Sequence, residues 1–276
     1  MLTVQLLAMI RIKSKSSAAH AAAKLIVATF VLITTGCFAQ PDDGNANDAN
    51  SADHTVLITG ANRGIGLELA RQYTAAGWQV IGTARKPEQA AELRVLNARV
   101  LQLDVTDQQS IDRMAEELGD QAVDLLINNA GIFPRVRTLP DVNFDDVTRT
   151  FAVNTLGPMR VSRALLSNLR SGQLRKVVNI TSRLGSIADN SGGGFYGYRE
   201  SKAALNMFTR SLANELRADG FICVVVHPGW VQTDMGGASA TLTVEESAQG
   251  IRNVIANLSP DDNGTFWNFD GAPLPW

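Results

Sequence analysis

An α/β domain built on one doubly wound parallel sheet is the fold this sequence predicts, and three observations carry the prediction. From Thr55 onward, short β-branched runs alternate with amphipathic helical stretches, the pattern of a parallel sheet covered on both faces. Three glycines, Gly60, Gly64 and Gly66, fall where the first such run gives way to the first helix. No internal repeat and no second hydrophobic unit is large enough to form another domain, so residues 55–276 read as one unit.

Seven runs qualify as strands: "TVLIT", "WQVIGTA", "ARVLQLDV", "VDLLINN", "RKVVNIT", "FICVVVHPG" and "GTFWNFDG". Between them lie helix signals. "TDQQSIDRMAEEL" opens with a capping residue, and Leu205, Phe208, Leu212 and Leu216 recur at helical spacing after Lys202. Cys223, inside "FICVVVHPG", reads as a buried strand residue.

The first 54 residues read differently. Arg11, Lys13, Lys15 and Lys24 precede the apolar run "LIVATFVLITTGCFA" without an acid among them, the layout of a secretory signal. "TTGC" resembles a bacterial lipobox ending at Cys37, with Thr34 in place of its usual leucine; cleavage after Ala39 is the alternative, and a mere N-terminal extension is a third reading. Residues 1–39 are thus signal-like. Residues 40–54 form an acidic linker of about 15 residues, which spans about 20–25 Å as a flexible coil.

Composition excludes several function classes. The chain is 45% hydrophobic and carries a net charge of −2, so it offers no basic field for nucleic acid. Its two cysteines give no disulfide framework, and His20, His54 and His227 have no ligand-like spacing, so no metal centre is expected.

A glycine turn between strand and helix suits a nucleotide. One glycine permits the turn, another lets backbone approach the phosphates, a third lets helix pack on sheet, and the helix N-terminus attracts the anion. An acid at the end of the second strand would favour NAD(H); "GTARKP" has none there. Arg85 in that segment and Arg63 in the glycine turn are instead suited to a 2′-phosphate, which favours NADP(H).

"GGGFYGYRESKAALNMF" poses the catalytic question, because Tyr196 and Tyr198 both precede Lys202. On a helix, residue i faces i+4: Tyr198 has Lys202 there, and Tyr196 has Glu200. A phenol of pKa about 10 needs roughly 4 kcal/mol of preferential phenolate stabilisation to work near neutrality. An ammonium supplies part of that and a carboxylate opposes it, so Tyr198 is the candidate. Ser182, in "NITSRLGSI", is placed at the carboxyl edge of the fifth strand, where open α/β sheets bind ligands.

Together these residues resemble the short-chain dehydrogenase/reductase family over essentially all of residues 55–276. "TGANRGIG" matches its cofactor turn (Gly60, Ala61, Asn62, Arg63, Gly64, Ile65, Gly66); "LDV" places Asp104 and Val105 beside the adenine; "NNAG" places Asn129, Ala130 and Gly131 at the nucleotide ribose. Asn154 of "VNTLGP", Ser182, Tyr198 and Lys202 fall on the catalytic set, and Pro228, Gly229 and Val231 on the loop covering the nicotinamide. "HPGWVQTDMGG" and "FDGAPLPW" are most similar to the branch holding the C-factor signalling protein and carbonyl-reductase-like members.

The resemblance implies a Rossmann-type sheet, a small carbonyl or alcohol substrate, and hydride exchange with NADP(H). Ser182 would hold the carbonyl and Tyr198 would act as acid/base. Lys202 would lower the tyrosine pKa and bind the nicotinamide ribose, and Asn154 would hold a relay water. It also implies a homo-oligomer. A nucleotide-binding signalling protein with little turnover is the alternative. Phe133 and Trp230 read equally as pocket or packing residues, and no charged substrate anchor stands out. Two departures are a longer Ser182–Tyr198 spacing, placed in "SGGG" at Ser191 to Gly194, and the exported-looking N-terminus. That N-terminus predicts a cell-envelope or periplasmic protein tethered through a lipidated Cys37; the family resemblance favours the cytoplasm.

Overall fold

The computed structural model describes residues 54–276. The expectations for residues 1–39, for Cys37 and for nearly all of the linker lie outside the described residues.

All seven predicted strands form: β1 (Thr55–Ile58), β2 (Gln79–Ala84), β3 (Arg99–Gln102), β4 (Leu125–Asn128), β5 (Lys176–Ile180), β6 (Ile222–His227) and β7 (Phe266–Asn268). They pair in parallel in the order β3-β2-β1-β4-β5-β6-β7. The order reverses between β1 and β4, and a crevice outside the carboxyl ends of the strands at such a switch point is where these sheets bind ligands.

Alternation along each strand divides the core between two faces. Val56, Ile58, Leu125, Ile127, Val224 and Val226 pack with α1 (Gly64–Ala75), α2 (Ala91–Val95) and α8 (Val244–Asn257). Leu57, Leu126, Val177 and Cys223 pack on the other side, with α3 (Gln108–Leu118), α5 (Gly157–Ala164), α6 (Leu166–Ser171) and α7 (Tyr198–Glu215). Residues of both parities are apolar because both faces are covered, so the strands read as continuous hydrophobic runs. Cys223 is fully buried as expected, and burial pushes its thiol up to about 12.

Asp107 caps α3, its carboxylate accepting from the Gln109 and Ser110 N–H groups. β3 is shorter than its run because Asp104 turns the chain: its Oδ1 accepts from Thr106 N (2.9 Å) and Thr106 Oγ1 (2.7 Å). α4 (Phe144–Phe151) continues into α5 through one π-helical turn, Ala152–Leu156, a local widening frequent at functional sites.

Candidate active site

The glycine turn is built for close approach. Gly60 and Gly64 have φ of +64° and +53°, values that favour glycine, and a Cβ on Gly66 would lie 2.5 Å from both Asn129 Nδ2 and the Gly60 carbonyl. α1 begins at Gly64 with Arg63 in the capping position, no side-chain cap and no acid in its first turn. Its leading N–H groups therefore lack a side-chain partner, as an anion-binding helix start requires. An uncapped, glycine-lined helix start at the sheet's switch point fits a dinucleotide pyrophosphate.

Asn129 holds this turn in shape. Its Nδ2 donates to the carbonyls of Thr59 (3.0 Å) and Gly60 (3.1 Å), while Thr59 Oγ1 accepts from the N–H groups of Asn129 and Ala130. The Asn129 side chain braces the cradle from behind. At Asp104, expected from the sequence beside the adenine, burial opposes ionisation, but hydrogen bonds from Thr106 and the charges of Arg85 and Arg149 outweigh it and hold the carboxyl below its usual range. Val105 is buried against Gly157, where an added Cβ would come within 2.9 Å of it.

The two arginines expected to share one anion face different carboxylates. Arg63 Nη1 lies 2.9 Å from Asp234 Oδ2, whereas the charge of Arg85 falls on Asp104. Asp234 belongs to the loop after β6, inside the "HPGWVQTDMGG" segment but given no role by the sequence. Thr233 packs against Gly64, Arg135 Nη2 donates to the Met235 carbonyl (2.6 Å), and Trp230 Nε1 donates to the Gly236 carbonyl (2.9 Å). Gly229 has φ +83° with Leu242 and Phe269 where a side chain would go, Val231 bridges to Leu242, and the Pro228 carbonyl accepts from Ser247 Oγ (2.6 Å). The loop is thus a strap over the cleft, and Trp230 staples the strap to itself.

Tyr198 is the first residue of α7, with Lys202 one turn on; Tyr196 sits outside the helix, before Gly197 at φ +78°. Ser182 follows β5 and caps the short turn Arg183–Gly185, accepting from Leu184 N at 3.1 Å. Gly185 lets that turn lie on α7: a Cβ there would meet Lys202 Cβ at 2.7 Å. Ser182, Tyr198 and Lys202 are all buried, and Ser182 lies near enough to the Tyr198 phenol to oppose the rise of its pKa.

Two expectations need correction. Lys202 does not bring the tyrosine down in this state: burial pushes Tyr198 up to about 12, and the opposing influence is Ser182. Lys202 itself is lowered to about 8 by burial; its Nζ lies 5.9 Å from the Tyr198 ring centroid and donates to the Ile180 carbonyl at 2.8 Å. Both groups are buried, and burial disfavours the charged form of each, the phenolate and the ammonium alike. Second, the Asn154 side chain is already engaged. Its Oδ1 accepts from Ile132 N (2.9 Å), and its Nδ2 donates to the Ile132 carbonyl (3.0 Å) and to Ser201 Oγ (3.1 Å). The amide clasps the loop after β4 onto α7.

The structure also brings in residues the sequence did not single out. Asn128 Nδ2 donates to Asn179 Oδ1 (2.8 Å) and Asn179 Nδ2 to Thr209 Oγ1 (2.7 Å), a buried polar chain fixing α7 to the sheet below the site. Phe133, read from sequence as either a pocket or a packing residue, lies tilted against the Tyr198 ring at 4.3 Å, and Phe195 lies 5.3 Å from Phe133.

This arrangement has close counterparts. A family model described as short chain dehydrogenase matches residues 54–242, and the chain belongs to that family of oxidoreductases. Among curated relatives, C-signal of Myxococcus xanthus is 52% identical over 154 residues, covering 56% of this chain and 93% of that protein. The 1-hydroxy-2-glutathionyl-2-methyl-3-butene dehydrogenase of Rhodococcus is 35% identical, with 80% of this chain and 99% of that protein covered. Among solved structures, carbonyl reductase Sniffer of Drosophila melanogaster is 37% identical with a TM-score of 0.76, covering 81% of this chain and 99% of that one. An NADPH-bound carbonyl reductase from chicken fatty liver has the same identity and coverage and a TM-score of 0.74.

Proposed function

We propose that this chain is an NADP(H)-dependent carbonyl reductase, also able to run as an alcohol dehydrogenase. The observation that carries the reading is the buried Tyr198 beside buried Ser182, with Lys202 one helical turn away, at the carboxyl edge of a dinucleotide-type cleft. The cofactor supplies hydride when bound, in the cradle of Gly60, Ala61, Asn62, Arg63, Gly64, Ile65 and Gly66, with Arg85 and Asp104 at its adenosine end. Ser182 holds the carbonyl oxygen by donating to it, and Tyr198 gives that oxygen its proton as negative charge develops. A phenol that stays protonated is the form reduction needs, and burial keeps it so. Lys202, poised near 8, restores the proton afterwards and offers its remaining N–H groups to a ribose.

NADP(H) is preferred in this reading because the cleft offers Arg63 and Arg85 and no acid at the end of β2. The NADPH-bound relative is consistent with it. The second reading, a nucleotide-binding signalling protein with little turnover, draws on the identity with C-signal. A panel of aldehydes and ketones assayed by NADPH and NADH consumption separates the two. The reductase reading expects turnover with NADPH well above that with NADH; nucleotide binding without turnover of any carbonyl favours signalling.

Tethering of the domain to the cell envelope through a lipidated Cys37 belongs to the same proposal, as does assembly into homo-oligomers. Mass spectrometry of the N-terminus after fractionation tests the tether: an intact, unacylated N-terminus in the soluble cytoplasmic fraction contradicts it.

A further inference from the structure

The glycine-rich segment that lengthens the Ser182–Tyr198 spacing does not hang free. Tyr196 N–H donates to the Val136 carbonyl (3.2 Å), and Gly194, at φ +65°, backs onto Arg137 so closely that a Cβ would lie 3.3 Å from its carbonyl. This docking turns Phe195 to φ +55°, a conformation rare for an aromatic residue and held only where surroundings demand it. The ring so placed continues a row that starts at the catalytic tyrosine. Tyr198 to Phe133 is 4.3 Å, Phe133 to Phe195 is 5.3 Å, and the Arg137 guanidinium lies 3.9 Å over Phe195.

Three arginines border this row, and only one has its charged end free. Arg199 donates to the carbonyls of Gly193, Gly194 and Leu184, and Arg135 donates to the Met235 carbonyl. Arg137 is exposed and makes neither a hydrogen bond nor an ion pair with any other described residue. A guanidinium stacked on a ring keeps its N–H groups directed outward in one plane, the geometry that takes a carboxylate by two parallel hydrogen bonds.

We propose that the substrate carries an anionic group, a carboxylate or its equivalent, at the end remote from the reacting carbon. The reacting carbonyl sits at Tyr198, an aromatic or extended apolar body lies along Phe133 and Phe195, and the anion docks on Arg137. The inference rests on the reductase reading for the chemistry at Tyr198, while the anion site stands on the row itself.

The test uses 4′-formylbiphenyl-4-carboxylic acid against its methyl ester in wild type, Arg137→Gln and Arg137→Lys. Turnover is measured with NADPH, and affinity with biphenyl-4-carboxylate and its methyl ester bound to the NADPH-loaded protein. Wild type is expected to favour the acid about tenfold in kcat/KM and in affinity. Arg137→Gln should bring that ratio close to one without changing NADPH affinity, and Arg137→Lys should restore part of it. Equal handling of acid and ester by wild type, or a preference that survives Arg137→Gln, overturns the proposal and leaves the reductase reading standing. Binding of the acid through Arg137 with no reduction of either aldehyde upholds the anion site and counts against the reductase reading.

Discussion

Arg63 and Asp234 form an ion pair of 2.9 Å that joins the glycine turn to the strap after β6. Thr233 packs on Gly64 beside it, and Arg135 holds Met235 from the opposite side of the cleft. The strap is therefore tied on both banks. Both members of the Arg63–Asp234 pair are largely exposed, at 71% and 81%, and such pairs contribute about 0–1 kcal/mol. A 2′-phosphate has enough charge to take Arg63 from so weak a partner.

Asp234→Asn should release Arg63 and tighten NADPH by roughly two- to fivefold, leaving NADH unchanged. Calorimetry with both cofactors decides it, and an equal change for the two contradicts the competition. Arg85→Asp should act oppositely, weakening NADPH at least about tenfold more than NADH, because it removes one charge and adds its repulsive opposite.

His227, the last residue of β6, should weaken the fold in acid. Burial, helped by the charge of Arg183 and opposed by Asp270, lowers it from 6.5 to about 4, and its Nδ1 has no hydrogen-bond partner. Between those values the unfolded chain binds a proton that the folded protein refuses, so stability falls as pH drops from 6.5 towards 4, by up to about 3 kcal/mol. Denaturant titrations of wild type and His227→Asn across that range should show a steeper acid decline in wild type. Parallel declines would mean that another group is responsible.

Local signals made most of this legible from sequence. The first six strands were marked by runs containing β-branched residues and the seventh by its aromatics, and the helical i to i+4 rule alone separated Tyr198 from Tyr196. What sequence did not show depends on contacts across the fold. The Asn154 amide was free on paper and is spent on Ile132 and Ser201 in space. The Lys202 charge pointed towards an acidic tyrosine, but burial of both groups has no signature in a spacing. Arg137 was one arginine in a polar loop until the glycine segment carried Phe195 beneath it. Asp234 stood inside the quoted "HPGWVQTDMGG" segment, but nothing in the spacing showed that it would pair with Arg63.

The central claim, that Tyr198 is the proton donor of an NADPH-dependent reductase, is tested most directly by turnover and NADPH affinity in Tyr198→Phe beside Tyr196→Phe. Removing the Tyr198 hydroxyl takes away the transferable proton without touching the nucleotide cradle. Tyr198→Phe should lose at least about a hundredfold in kcat for carbonyl reduction with NADPH binding nearly intact, and Tyr196→Phe should stay within a few-fold of wild type. Near-normal turnover by Tyr198→Phe, or its loss in Tyr196→Phe alone, would contradict the account.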